Sequence, residues 1–177
     1  TVAVAATSLS GRKIGLMQRS TMQEAVSAHH VGGIVRLTKF ILKTTVVIEF
    51  LGGALLCPIF IRDFGINGIW YSIFHSVSAF CNAGFDLMGV KGQFSSLTTY
   101  YSNPFVNIVI MALIIIGGIG FLTWEDIKNN KYHFRKYRMQ SKVILSVTVI
   151  LIVVPAVYFF FFEYFNLPLG ERILTSL

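Results

Sequence analysis

Charge is what this sequence has least of. Asp, Glu, Lys and Arg make up 13% of its 177 residues, about half the ~25% of an ordinary soluble domain. Cysteine is nearly absent. Cys57 and Cys81 both lie in apolar stretches and form no CxxC, so neither a disulfide scaffold nor a zinc site is indicated. Acidic residues are scarcer than basic ones, 8 against 15, for a formal net charge of +7. What is present is apolar: 54% of the chain before its 15 glycines are counted. A soluble globule with room for one domain, on the usual prior of about 150 residues, cannot hide that much apolar surface. The expected fold class is an all-α integral membrane protein.

No basic stretch leads from Thr1 into a short apolar one, so no signal peptide is visible. Ile173–Leu177 shows no stop signal or cap. The chain is therefore expected to be an excerpt of a longer protein.

A spanning helix needs about 20 mostly apolar residues. Thr44 to Ile61 is an 18-residue apolar run broken only by Glu49, with Lys39 and Lys43 placed to snorkel just before it. Phe105 to Trp124 gives 20 residues without a charge, preceded by Asn103-Pro104, a capping residue and a first-turn proline. Val143 to Phe162 is a third uncharged run of 20, in which Pro155 predicts a kink. Ile69–Ala83 differs. Its 15 residues include His75, Ser76, Ser78, Cys81 and Asn82. As a helix it would reach about 22 Å, short of a ~30 Å hydrocarbon core. It is expected to be re-entrant.

Basic residues set the sidedness. Arg12–Lys43 and Glu125–Lys142 carry six each, whereas Arg62–Asn103 holds only Arg62 and Lys91. By the positive-inside rule the first two face the cytoplasm and the third faces outward. The net +7 is thus mainly a topology signal and gives no reason to expect a nucleic-acid partner. The expected division is 1–11, the end of an earlier span; 12–36, an interfacial cytoplasmic linker; and 37–124, one span–re-entrant helix–span unit. That unit comprises a span at 37–61, the re-entrant helix and the chain returning from it at 69–86, an external loop at 87–103 and a span at 104–124. A basic cytoplasmic loop at 125–142 and a further helix with its external end at 143–177 complete the chain.

Irregular backbone at membrane depth is tolerated only when buried in protein or lining a watery cavity. Phe80-Cys-Asn-Ala-Gly-Phe-Asp86 supplies such a break. A short helix ending near Asn82 would aim its partly negative end inward, which favours a cation. The returning chain would expose the carbonyls of Asn82, Ala83, Gly84 and Phe85, as in filters that replace the hydration shell of K⁺. Glycine suits that position because it visits positive φ freely. Alone, such a glycine more often simply turns a chain; its place between two spans, after a helix too short to cross, is what gives it weight.

His75-Ser-Val-Ser-Ala-Phe-Cys-Asn-Ala-Gly-Phe-Asp86 resembles the second pore loop of the Trk/Ktr/HKT superfamily of potassium transporters, closest to the membrane subunit of a bacterial Ktr-type uptake system. Ile116-Gly-Gly-Ile-Gly-Phe-Leu-Thr-Trp-Glu-Asp126 is similar to the end of the following helix, and Arg12-Lys-Ile-Gly15 to the linker after the first repeat. The resemblance covers essentially the whole chain. It implies four non-identical repeats around one pore, of which this chain would hold the tail of the first, all of the second and the first helix of the third. It also implies K⁺ as the transported ion, no bound cofactor, a homodimer, a cytosolic nucleotide-binding ring as partner, and a multi-pass place in the bacterial cytoplasmic membrane among its lipids. Gly84 would take the filter-glycine position. Cys81 departs from the Asn or Ser that family members often carry there.

Other residues carry open alternatives. Glu49 is either a cation-attracting or gating group, or a hydrogen-bonded helix contact. The adjacent Gly52-Gly53-Ala54 favours the contact, because small residues let helices approach closely. Gly117-Gly-Ile-Gly120 has no third glycine at dinucleotide spacing and no preceding strand, and is expected to serve close packing or leave room for the pore cavity. His75 has no companion at metal spacing and is expected to be a hydrogen-bonded packing residue near the outer start of the pore helix. Asp86 would either concentrate cations at the mouth or brace the loop. Lys128–Lys142 would dock a cytosolic partner or anionic lipid, or simply set topology. The competing classes are a multi-span membrane enzyme, which would need a His/Asp/Glu or Ser/His cluster at one interface, and a structural or assembly subunit that conducts nothing.

Overall fold

The computed structural model describes residues 34–131, 133–164 and 168–176. The expectations for the earlier span at 1–11 and for most of the linker at 12–36 lie outside these residues. Among them there is no strand.

Helix α1 runs Ile34–Phe64, 31 residues, extending the expected 37–61 span at both ends. At 1.5 Å per residue it reaches about 46 Å, well beyond a ~30 Å hydrocarbon core. The added residues include Arg36, Arg62 and Asp63, so the helix continues into the polar zones that would flank a membrane. A two-residue turn leads into α2, Asn67–Phe80. Its 14 residues span about 21 Å, too short to cross. Two 3₁₀ turns, Met88–Val90 and Ser96–Tyr100, shape the connection to α3, Pro104–Ile119. The predicted cap of α3 is present: Asn103 Oδ1 accepts from the amides of Phe105 at 3.1 Å and Val106 at 3.3 Å, with Pro104 at the first helical position.

The uncharged run at 105–124 is not one straight helix. α3 ends at Ile119, and α4, Phe121–Asn130, leaves at 92° to it. The break is Gly120, whose φ of +87° is closed to most L side chains. The indole of Trp124 donates to the Ile116 carbonyl at 3.1 Å, satisfying an acceptor that the broken ladder leaves free. After a 3₁₀ turn at Phe134–Lys136, α5 runs Met139–Tyr158 with Pro155 inside it and passes into a π turn, Phe159–Glu163. The short α6, Leu169–Ser176, folds back so that Arg172 Nε donates to the Phe160 carbonyl at 2.6 Å.

α1 and α5, the latter with its π turn, are each long and apolar enough to cross a membrane, and the bent α3–α4 pair counts as a third span if taken together. The core lies in the triangle of α1, α2 and α3: Leu56 and Phe60 from α1, Phe80 from α2, and Val106, Val109 and Leu113 from α3. Met88 and Tyr100 close it at the end carrying the 3₁₀ turns, and Trp124 joins it beyond the Gly120 break. Small residues set the close approaches. Gly52 of α1 sits where a Cβ would press on Leu113 at 2.8 Å and on the Ser76 hydroxyl, which bears out the close packing suggested by the Gly-Gly-Ala run. α5 is the opposite case, with Ser141 its one buried residue.

Candidate functional site

The polar residues that set α2 apart in the sequence are nearly all inside. Ser72, His75, Ser76 and Ser78 are buried, and each hydroxyl or ring is spoken for. Ser72 Oγ donates to the Gly68 carbonyl at 2.6 Å. Ser76 Oγ donates across the helix pair to the Glu49 carbonyl at 2.7 Å, pinning α2 to α1. In an apolar medium an unpaired hydroxyl costs several kcal/mol, so these bonds are what permits a serine-rich helix at this depth. The Ser76 bond, which crosses to α1, also fixes the rotation of α2.

α2 stops because Asn82 takes the left-handed conformation, φ +52°. The Ala83 amide then reaches back to the Ser78 carbonyl at 2.9 Å and the Asn82 amide to that of Ala79 at 3.1 Å. This pair of bonds is the Schellman closure, with Asn in the place that glycine usually takes. Asn82 Nδ2 donates weakly, at 3.4 Å, to the Ile114 carbonyl of α3. Two residues on, Gly84 has φ +73°, and a Cβ there would meet nothing within 4 Å. Cys81 through Asp86 are all exposed.

The return limb runs back along α2. Ser78 Oγ donates to the Phe85 carbonyl at 2.6 Å, and the Leu87 amide donates to His75 Nε2 at 3.4 Å. His75 Nδ1 lies 2.7 Å from the Tyr71 carbonyl, so it carries the ring proton and leaves Nε2 as an acceptor. His75 is 2% exposed, between the rings of Phe60 and Phe74. It is hydrogen-bonded and packed as expected, but it stands in the second half of α2 instead of near its start. Asp86 Oδ1 accepts from the Met88 amide at 2.8 Å, so Asp86 does brace the loop. A pocket of about 230 Å³ lies behind the limb, lined by Ser78, Asn82, Gly84, Leu97, Ile110 and Ile114 among others.

Glu49 is half-buried on α1, and its carboxylate has no hydrogen bond or ion pair among the described residues. The expected hydrogen-bonded helix contact is made by its backbone carbonyl through Ser76, and not by its side chain. The six residues singled out from the sequence thus fall into one run, Asn82 to Asp86, and one detached carboxylate on the neighbouring helix.

Two clusters escaped sequence reasoning. At one end, Tyr100 Oη donates to Asp63 Oδ2 at 2.5 Å, while Lys91 Nζ reaches the same carboxylate at 3.4 Å and Tyr100 Oη at 3.1 Å. The Lys91 ammonium also lies over the Phe64 and Tyr100 rings, at 4.8 and 4.5 Å. Burial first, then the bond to Asp63, raises the Tyr100 phenol above its ordinary value. At the other end, Asp126 is 3% exposed. Its Oδ2 accepts from Ser141 Oγ at 2.6 Å and from the Arg138 amide at 3.0 Å, tying α4 to the start of α5. Arg138 also pairs with Glu125 at 2.8 Å. Glu125 and Asp126, adjacent in sequence, are thus both tied to the segment that opens α5. No three His, Cys, Asp or Glu side chains converge among the described residues.

The family model described as TrkH, cation transport protein, matches residues 1–177. The potassium/sodium uptake protein NtpJ of Enterococcus hirae is 41% identical over 167 residues, covering 93% of this chain and 36% of that protein. Ktr system potassium uptake protein B of Bacillus subtilis is 34% identical over 167 residues, 94% of this chain and 36% of that one. The protein of the same name from Vibrio alginolyticus is 30% identical over 158 residues, 88% of this chain and 34% of its own length. The chain thus spans about a third of the length of these curated relatives. Matched from its first residue to its last, this chain belongs to the TrkH family of cation transport proteins.

Proposed function

We propose that this chain supplies one pore loop and its flanking helices to a channel-like pathway for K⁺, within a larger uptake subunit of the bacterial cytoplasmic membrane. The supporting observation is the run Asn82–Gly84, exposed at the end of a membrane helix too short to cross, with left-handed φ at Asn82 and Gly84 and not at Ala83 between them. Alternating the hand of successive residues turns neighbouring peptide planes so that their carbonyls face one way, where an extended strand would alternate them. A row of such oxygens at the C-terminal end of α2 suits a dehydrated monovalent cation. Transport is passive, with no covalent step.

The relatives named for potassium or potassium/sodium uptake point the same way. On this reading the other walls of the pore come from three further repeats, two subunits pair, and a cytosolic nucleotide-binding ring docks near the basic segment Glu125–Lys142. Glu49, whose carboxylate has no partner among the described residues, draws cations toward the inner end of the filter. Asp86 keeps one carboxylate oxygen for the same task at the mouth.

The test is uptake of Rb⁺ and Na⁺ by cells lacking their own K⁺ uptake, comparing the wild-type whole protein with Gly84→Ser at matched membrane abundance. Wild type carries Rb⁺, and the variant loses uptake or shifts toward Na⁺. Equal behaviour of the two, or no Rb⁺ uptake by either, refutes the filter and leaves a structural subunit.

A further inference from the structure

We infer that Ser78 and His75, three residues apart on one face of α2, are positioning residues that decide which carbonyls of the return limb are presented to the ion. The inference rests on the filter reading of Asn82–Gly84. In an extended segment the carbonyl of one residue and the amide two residues on point to the same side. Phe85 O and Leu87 N do so here, and both are taken by α2: the first by the Ser78 hydroxyl at 2.6 Å, the second by His75 Nε2 at 3.4 Å. The Phe85 carbonyl is therefore turned back onto the helix. The ion-facing run ends at Gly84, one residue earlier than the sequence suggests.

Both tethers are held from behind. Ser78 is 8% exposed, and its own carbonyl is the one that closes the helix by accepting from Ala83. One residue thus grips the limb at two points, before and after Gly84. His75 is fixed as a ring-proton donor to Tyr71 O and so has only its acceptor nitrogen to offer Leu87. Without the Ser78 hydroxyl, the Phe85 carbonyl has no partner on α2. It is then free to swing toward the pathway, where an added or misplaced oxygen changes the cage size and with it the preferred ion.

Ser78→Thr and Ser78→Val separate this role from mere packing. The two side chains share one shape, and Ser78 borders the pocket of about 230 Å³. Only Thr keeps the donor. The readout is the Rb⁺ to Na⁺ uptake ratio of the whole protein at matched membrane abundance, with Gly84→Ser alongside. Ser78→Val shifts the ratio toward Na⁺ by about fivefold, the worth of one hydrogen bond, and Ser78→Thr stays within about twofold of wild type by the same reckoning. His75→Leu behaves like Ser78→Val, and His75→Gln, which restores an acceptor, recovers part of the ratio. If Val and Thr give one and the same ratio while Gly84→Ser loses uptake or shifts toward Na⁺, the positioning role is wrong and the filter reading stands. If Gly84→Ser is also indistinguishable from wild type, both fall together.

Discussion

Gly117→Ala is the sharpest probe of how the filter is supported. Gly117 of α3 lies against the end of α2, where an added Cβ would fall inside the Phe80 carbonyl oxygen, 2.9 Å from its carbon and 3.3 Å from its Cα. Every one of these is backbone and none can rotate away. Restoring ordinary contact requires the two helices to part by roughly 1 Å, an overpacking that costs about 1–3 kcal/mol. Phe80 is the last residue of α2 and stands four before Gly84, so the displacement is delivered to the base of the proposed filter. Borne by the conducting geometry, that cost lowers Rb⁺ uptake about five- to 150-fold. The adjacent Gly118→Ala is the control: its Cβ would lie 3.8 Å from Asn82 Nδ2, an ordinary contact. Uptake in cells and the unfolding midpoint of the purified protein are compared for the two. Gly118→Ala stays near wild type while Gly117→Ala falls in both. Indistinguishable variants, or a Gly117→Ala protein with normal uptake and midpoint, would refute the wedge argument.

Other perturbations bear on the remaining clusters. Asp126→Ala removes the acceptor of Ser141 and of the Arg138 amide; it destabilises the α4–α5 junction by about 1–3 kcal/mol, seen as faster proteolysis between Lys131 and Arg138. Tyr100→Phe cuts the bridge between Asp63 and Lys91 at a cost of about 1 kcal/mol, read as a lower unfolding midpoint with an unchanged Rb⁺ to Na⁺ ratio. Because the phenol is raised, this bridge is fully present below the ordinary tyrosine value of about 10 and is lost only as pH climbs through the higher folded one. The difference in midpoint between wild type and Tyr100→Phe therefore stays constant from about pH 6 to 9, and a difference that vanishes in that window contradicts the assignment. Glu49→Gln slows Rb⁺ uptake and leaves the ion ratio unaltered; a changed ratio would place Glu49 in the filter itself.

Much of this was legible because membrane segments announce themselves by what they omit. The Asn103-Pro104 cap, the helix too short to cross and the close-packing glycines all follow from residue type and spacing. The bend at Gly120 did not, because a 20-residue run without charge looks the same whether straight or broken. One of three neighbouring glycines adopts positive φ, and nothing local says which. Asn82 at a left-handed helix end was readable in principle, since Asn is the usual substitute for glycine there. The burial of Asp126 was not, because its partners lie 12 and 15 residues away across a turn. Nor were the tethers from Ser78 and His75, whose acceptors and donors are backbone atoms that any residue would supply.

The contrast between α5 and α2 has a consequence for how the protein is made. α5 is uncharged through most of its length and almost wholly uncovered among the described residues. A segment of that kind satisfies its own backbone and can leave the translocation machinery for lipid by itself. α2 has no such independence. It is too short to span, and Ser76, Ser78 and the acceptor nitrogen of His75 find their partners outside it, on the Glu49 carbonyl of α1 and on the limb that follows it in synthesis. The order of assembly is therefore written into the hydrogen bonds: α1 must already be in place, and the return limb made, before α2 can tuck in. A ribosome stalled before that limb emerges would leave the hydroxyl of Ser78 and the acceptor nitrogen of His75 without partners.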